Sequence, residues 1–250
     1  MKKKLLPLLL GLLLITTLAA CSKPKTAPKK ENLPSAATII NQAAQTKFKT
    51  MHATWLQTDH NHRIMQKAEA KYNKKPLTVF ANFTTSNNHY KLWISGKNNY
   101  IQMQGTSTKR WFKTKLTKAS SYAQLTSDLA QGALLSFDQK AIKLFKVKET
   151  NDGYALTYSG KNKKMWQALT QNGMLTSVIG IDTDKMTPDQ AKVEIDTSKN
   201  FNLKKIDIDA AYKDDNAKKH LQLKINDINT LKKLQVPQAV VKSAVNLGKN

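Results

Sequence analysis

The chain has 250 residues, with 41 Lys and Arg against 17 Asp and Glu, a formal net charge of +24. Its 40% hydrophobic content is too high for a disordered tail, and its length suits one domain of about 200–250 residues or two small ones. The single Cys excludes an intrachain disulfide framework and a Cys-cluster zinc site.

Lys2, Lys3 and Lys4 precede the apolar run Leu5–Ile15, and small residues follow at Ala19 and Ala20. A charged start, an apolar middle and a small-residue cleavage site make a secretory signal. The run is shorter than the ~20 apolar residues of a membrane-spanning helix. Leu18-Ala19-Ala20-Cys21 looks like a bacterial lipobox, in which the Cys thiol takes a diacylglyceryl group and becomes the new N-terminus. On this reading residues 1–20 are signal, 21–34 are the lipidated Cys21 with a Pro- and Lys-rich tether, and 35–250 are the folded domain. The expected location is the extracytoplasmic face of the cell membrane. The protein is held there by acyl chains, each buried CH₂ contributing about 0.8 kcal/mol.

Ser35 predicts an N-cap for a helix carrying Ile39, Ile40, Ala43, Ala44 and Phe48 at 3–4 spacing. The period then changes to two. Met51, Ala53 and Trp55 alternate with His52, Thr54 and Leu56, and strands follow at Arg63–Tyr72, Leu77–Phe83, Tyr90–Ile94, Ile101–Met103 and Arg110–Lys115. Asn87-Asn88 and Gly96-Lys97-Asn98 mark turns, so these six strands make an antiparallel meander. A helix is predicted from Ser120/Ser121 to Gly132, and a capping box at Ser136 opens another over Ala141–Leu144. Asn151-Asp152-Gly153 turns a hairpin between Phe145–Glu149 and Tyr154–Ser159. Asn162 caps a helix with Met165, Trp166 and Leu169. Strands resume at Leu175–Asp182, Lys192–Asp196, Leu203–Tyr212 and His220–Ile225, and Pro237 starts a short helix containing Val240, Val241 and Val245.

Ten or eleven antiparallel strands with few helices predict an α+β fold. A large curved sheet would be covered on its concave face by the helices. Inward-facing Val79, Phe83, Leu92, Ile94, Ile101 and Met103 are candidates to line an apolar ligand space. Leu156, Tyr158, Ile179 and Ile181 join them from the second half. The alternative is that all ten are packing residues, as aromatic and aliphatic stripes commonly are. Cavity volume separates the two readings.

Four features coincide: the lipobox, a short helix leading into Lys49–Trp55, the hairpin Trp93–Ile101, and the closing segments Leu223–Asn229 and Val236–Ala244. Together they resemble a family of uncharacterised lipoproteins of Gram-positive bacteria with the fold of LolA and of the mycobacterial LppX and LprG lipoproteins. The resemblance implies a half-barrel sheet whose helices cap a hydrophobic cavity, a lipid or acyl chain as ligand, and no catalytic residue. The chain departs from its relatives in its Lys and Asn content and in the polar strand Arg63–Tyr72.

The positive charge is nearly all Lys, with only Arg63 and Arg110 as arginines. Arg is the usual reader of base edges, and a secreted chain does not meet cytosolic nucleic acid, so none is expected as partner. The plain account is that the lysines keep a solvent face soluble. The functional alternative is a Lys-rich surface holding an anionic wall polymer or a partner protein, with no internal ligand. His60 and His62 lie at i,i+2 in an expected turn without a third ligand, so no metal is expected. Asp207 and Asp209 alternate with Ile206 and Ile208, which predicts solvent-facing carboxylates and buried isoleucines. No Walker loop, Gly-x-Ser-x-Gly, Gly-x-Gly-x-x-Gly or His-Glu-x-x-His occurs. Ser22-x-x-Lys25 lies in the tether beside the lipid. The expectation is a binding protein and not an enzyme, with no cofactor.

Overall fold

A computed structural model describes residues 33–103, 110–116, 134, 136–171, 181–182 and 184–249. The signal, Cys21, most of the tether, the helix expected over 120–132 and Ile179 lie outside the described residues. The described residues build one twelve-stranded sheet with strand order β12-β6-β5-β4-β3-β2-β1-β11-β10-β9-β8-β7. The expected large antiparallel sheet with few short helices is the observed architecture.

The first half is the meander: β1 (Thr50–Asp59), β2 (Ile64–Asn73), β3 (Thr78–Thr85), β4 (His89–Ser95), β5 (Asn98–Met103) and β6 (Phe112–Lys115). Its turns follow from local chemistry. Asp59 Oδ1 accepts from Asn61 N (2.9 Å) and Arg63 N (3.0 Å), closing β1–β2. Thr85 Oγ1 accepts from Asn87 N and Asn88 N, closing β3–β4. The second half holds β7 (Lys146–Thr150), β8 (Gly153–Gly160), β9 (Met186–Ser198), β10 (Leu203–Asp214) and β11 (Ala217–Asn226). Asp215 and Asn216, both at positive φ, give the two-residue turn of β10–β11. Gly153 opens β8 where a Cβ would stand 1.8 Å from Thr197 O, so the β8–β9 approach admits glycine alone. β1 pairs with β11, which welds the two halves into a single sheet.

Among the described residues four helices accompany the sheet: α1 (Ala36–Ala43), α2 (Gln139–Ile142), α3 (Lys163–Gln171) and α4 (Gln238–Ser243). Ser35 caps α1 as its residue type predicts, accepting from Thr38 N. The α2 cap is Asp138 and not Ser136, because the Asp138 carboxylate reaches both Lys140 N and Ala141 N. The apolar stripes of α1, α2 and α3 join one face of the sheet in a single core. Ile39, Ile195, Ile206 and Leu223 there are fully buried. Each contributes about 1.5–3 kcal/mol relative to exposure.

Three further expectations are corrected. Ile181 and Asp182 are not strand, and the rest of Leu175–Asp182 is outside the described residues. β9 starts at Met186, well before Lys192, because Pro188 sits at a register shift opposite Tyr212, beyond the reach of β8, where its missing N–H is tolerated. Val245 belongs to β12 (Val245–Lys249), not to the last helix, and β12 runs parallel to β6. The closing helix α4 packs Val240 against Tyr100 and Trp111 on the sheet's second face, forming a smaller core.

Candidate functional site

Pair register assigns every strand residue to a face. Met51, Ala53, Trp55 and Gln57 of β1 stand opposite Tyr72, Ala70, Ala68 and Gln66 of β2. Tyr72 and Ala68 stand opposite Val79 and Phe83 of β3; these in turn face Ile94 and Tyr90 of β4, and Leu92 and Tyr90 face Ile101 and Met103 of β5. On the other side, Ala53 and Trp55 lead through Ile225 and Leu223 to Ile206 and Ile208, then Ile195 and Val193, then Leu156 and Tyr158. The eight predicted strand positions therefore share one face, the face that α1, α2 and α3 cover. Ile181 joins the same core from a non-strand position.

Coverage is uneven. Ile94 and Leu156 are fully buried, and Val79, Tyr158 and Ile181 nearly so. Phe83, Leu92 and Ile101 are half-buried, and Met103 is 51% exposed. Exposure rises along β3, β4 and β5 toward the end where the β1–β2 and β3–β4 hairpins turn. There Phe83 lies between Trp55 (6.0 Å between ring centroids) and Tyr90 (5.1 Å). This strip is the open part of the apolar face, and the clefts of about 350, 390 and 670 Å³ among the described residues are lined by other residues. At its other end, the strip runs into a packed core. Tyr158 also has a structural duty, since its hydroxyl accepts from Asn162 N at the start of α3.

A short polar chain interrupts the apolar face. Gln66 Nε2 donates to Gln57 Oε1 (2.7 Å), and Gln57 Nε2 donates to the Tyr212 hydroxyl (2.5 Å). Burial pushes the Tyr212 phenol above its ordinary range. The indole of Trp166 in α3 packs against Tyr212 at 6.5 Å. Its Nε1, like that of Trp55, is buried and has no hydrogen-bond partner among the described residues. Apolar walls with a few convergent polar groups are the usual make-up of a small-molecule site. Gln57, Gln66 and Tyr212 escaped the sequence reading. The available signal was Gln57 itself, a polar residue at the inward position of the Met51-Ala53-Trp55 alternation.

The outer face is polar. Asp207 and Asp209 face away from the core while Ile206 and Ile208 enter it, as the alternation predicts. Burial opposes ionisation at Asp209, but hydrogen bonds with His220 (3.0 Å) and Gln222 (3.2 Å) outweigh it and hold the carboxyl below its ordinary range. Burial, with the charge of Glu194 beside it, pushes Asp196 up. His60 and His62 line an outer cleft of about 670 Å³ with His220. Among the described residues, no three His, Cys, Asp or Glu groups stand together as metal ligands. Nor is any described helix long and apolar enough to cross a membrane.

A family described as a "family of unknown function", DUF6612, matches residues 26–245. The chain belongs to this family. No curated protein matches it. Among solved structures, the chain is similar to the lipoprotein LppX of Mycobacterium tuberculosis, with 12% identity and a TM-score of 0.38. That match covers 80% of this chain and 98% of LppX.

Proposed function

We propose that the protein is an extracytoplasmic lipoprotein, anchored through Cys21, that binds an apolar ligand such as a lipid along the open part of this apolar sheet face. The observation that carries this reading is the exposure gradient on one continuous apolar face. Ile94 is fully buried, Leu92 and Ile101 are half-covered, and Met103 is half-exposed. A ligand lying on the open part would remove apolar area from water at about 25 cal/mol per Å². The partnerless indole N–H groups of Trp55 and Trp166 and the Gln66–Gln57–Tyr212 chain supply hydrogen-bonding groups on that face. The ligand class is therefore an amphiphile, apolar over most of its length and polar at one point. The role is binding and not catalysis.

Organic extraction of the purified protein followed by mass spectrometry tests this reading. The expected result is a co-purifying acyl-chain species in stoichiometric amount. A protein that yields none and takes up no fluorescent fatty acid would overturn it. The same mass spectrum reads residue 21, where an unmodified Cys21 would remove the anchor.

A further inference from the structure

Antiparallel register brings the start of β1, the β2–β3 and β4–β5 turns and the ends of β6 and β11 to one end of the sheet. That end carries Lys47 and Lys49 before β1, Lys74 and Lys75 in the β2–β3 turn, and Lys97 in the β4–β5 turn. Lys115 closes β6, and Lys232 and Lys233 follow β11. All eight are exposed. Backbone contacts draw them into one rim. Lys74 N donates to Lys49 O (2.8 Å), Leu116 N to Lys97 O (2.7 Å) and Gly96 N to Leu77 O (3.0 Å). Asn229 Nδ2 donates to Lys47 O (3.0 Å), which ties in the segment leading to Lys232. Lys233 shares a cleft of about 390 Å³ with Pro76 and Ser95. From β11 to β6 the rim spans six strand spacings, roughly 29 Å.

Carboxylates are scarce there. Residues 33–116 hold 13 Lys and Arg against Asp59 and Glu69 alone. Among the described residues, none of the eight rim lysines has an ion-pair partner. Asp227, the acid nearest the rim, faces His52 at 3.4 Å. Glu149 and Asp152, at the distant β7–β8 edge, are taken by Lys199 and Lys204. Glu69 on β2 pairs with Lys71, Glu194, Asp196, Asp207 and Asp209 lie on the outer face of β9 and β10, and Asp59, Asp214 and Asp215 lie at the opposite end.

Two observations select a bilayer over a dissolved polyanion. Apolar side chains stand exposed beside the lysines: Val241 (39%) lines the cleft with Lys233, and Leu247 (58%) lies on β12 between the residues paired with Lys113 and Lys115. Lysines flanking outward apolar groups suit the membrane interface, whereas a soluble polyanion engages charge alone. The second is reach, which rests on the reading of Cys21 as the lipid attachment. Eleven residues separate it from Leu33, twelve Cα-to-Cα steps or at most about 43 Å of chain. We infer that the lysine rim, with Val241 and Leu247, seats the domain on an anionic phospholipid surface. The strand ends bearing Tyr90 and Met103 then point away from the bilayer, with the open part of the apolar face on the aqueous side.

The test uses the full chain in vesicles of phosphatidylcholine alone or mixed with phosphatidylglycerol, with a dansyl lipid as acceptor for tryptophan fluorescence. Energy transfer is expected to rise with phosphatidylglycerol and to fall with added salt. Replacing Lys49, Lys74, Lys75 and Lys97 by Gln should weaken seating about fivefold per lysine, several hundredfold together. The same change at Lys146, Lys148, Lys163 and Lys164 is the control and should leave transfer unaltered; circular dichroism checks that both variants fold. Transfer independent of phosphatidylglycerol, or equal loss in both variants, overturns the inference. So does salt-sensitive capture of a soluble poly(glycerol phosphate) without vesicle seating. The Cys21 reading fails separately. A chain that carries no lipid but floats with anionic and not neutral vesicles still supports the rim, and one that floats with neither overturns it.

Discussion

Met103 and Leu156 project from the same face of one sheet, yet one is 51% exposed and the other fully buried. Truncating each separates a ligand wall from a folding core. Full burial of a Met side chain is worth about 2 kcal/mol. A ligand that covers the exposed half of Met103 therefore gains about 1 kcal/mol there, and Met103→Ala should weaken its binding about fivefold. The same change should lower folding stability only slightly. Leu156→Ala removes three buried carbons between Ile195 of β9 and Val147 of β7. Its expected cost is about 2–5 kcal/mol of folding free energy, part of it from the cavity left behind. Displacement of a fluorescent fatty acid reads the first effect, and urea unfolding followed by tryptophan fluorescence reads the second. Unchanged fatty-acid affinity in folded Met103→Ala would refute the wall assignment. A Met103 stability loss as large as that at Leu156 would refute the exposure argument.

Tyr212→Phe removes the acceptor of Gln57 Nε2 inside the sheet and should cost about 1–3 kcal/mol, seen as a lower urea midpoint; an unchanged midpoint would show the bond to be dispensable. Asp138→Ala strips two backbone N–H groups of α2 of their acceptor, with an expected loss of about 1 kcal/mol and faster amide exchange at Lys140 and Ala141. Two carboxylates give opposite pH trends. Asp209 is held below its ordinary value, so the unfolded chain binds the proton first as pH falls. Its stabilisation is complete above the unfolded carboxylate range and is lost as pH drops through the folded value. Asp196 is raised, so the folded chain binds more protons between the ordinary and the raised value, and stability falls as pH climbs through that window. Asp209→Asn should therefore flatten the acid limb of urea midpoint against pH, while Asp196→Asn should raise the midpoint near neutrality. The reverse pattern would contradict both assignments.

The meander was legible because its turns are chemically explicit. Asn87-Asn88 and Gly96-Lys97-Asn98 allow few other conformations, and alternation then fixes the inward set Val79, Phe83, Leu92, Ile94, Ile101 and Met103. β12 was not legible. Val245 and Leu247 follow a helical start at Pro237 without interruption, and only the free edge of β6 turns them into a strand. The Gln66–Gln57–Tyr212 chain was hidden for a similar reason. Two of its members sit in adjacent strands, but Tyr212 is 155 residues from Gln57.

By itself the sequence determined the periods of the elements, the inward and outward sides of the strands, the N-cap of the first helix and the excess of lysine. These are local properties, set by spacing and residue type within a few positions. Tertiary structure alone decided which inward residues are sealed and which stay open, because burial depends on what the rest of the chain lays over them. It also gathered lysines nearly two hundred residues apart into one rim, since β1 pairs with β11 and places distant strand ends side by side.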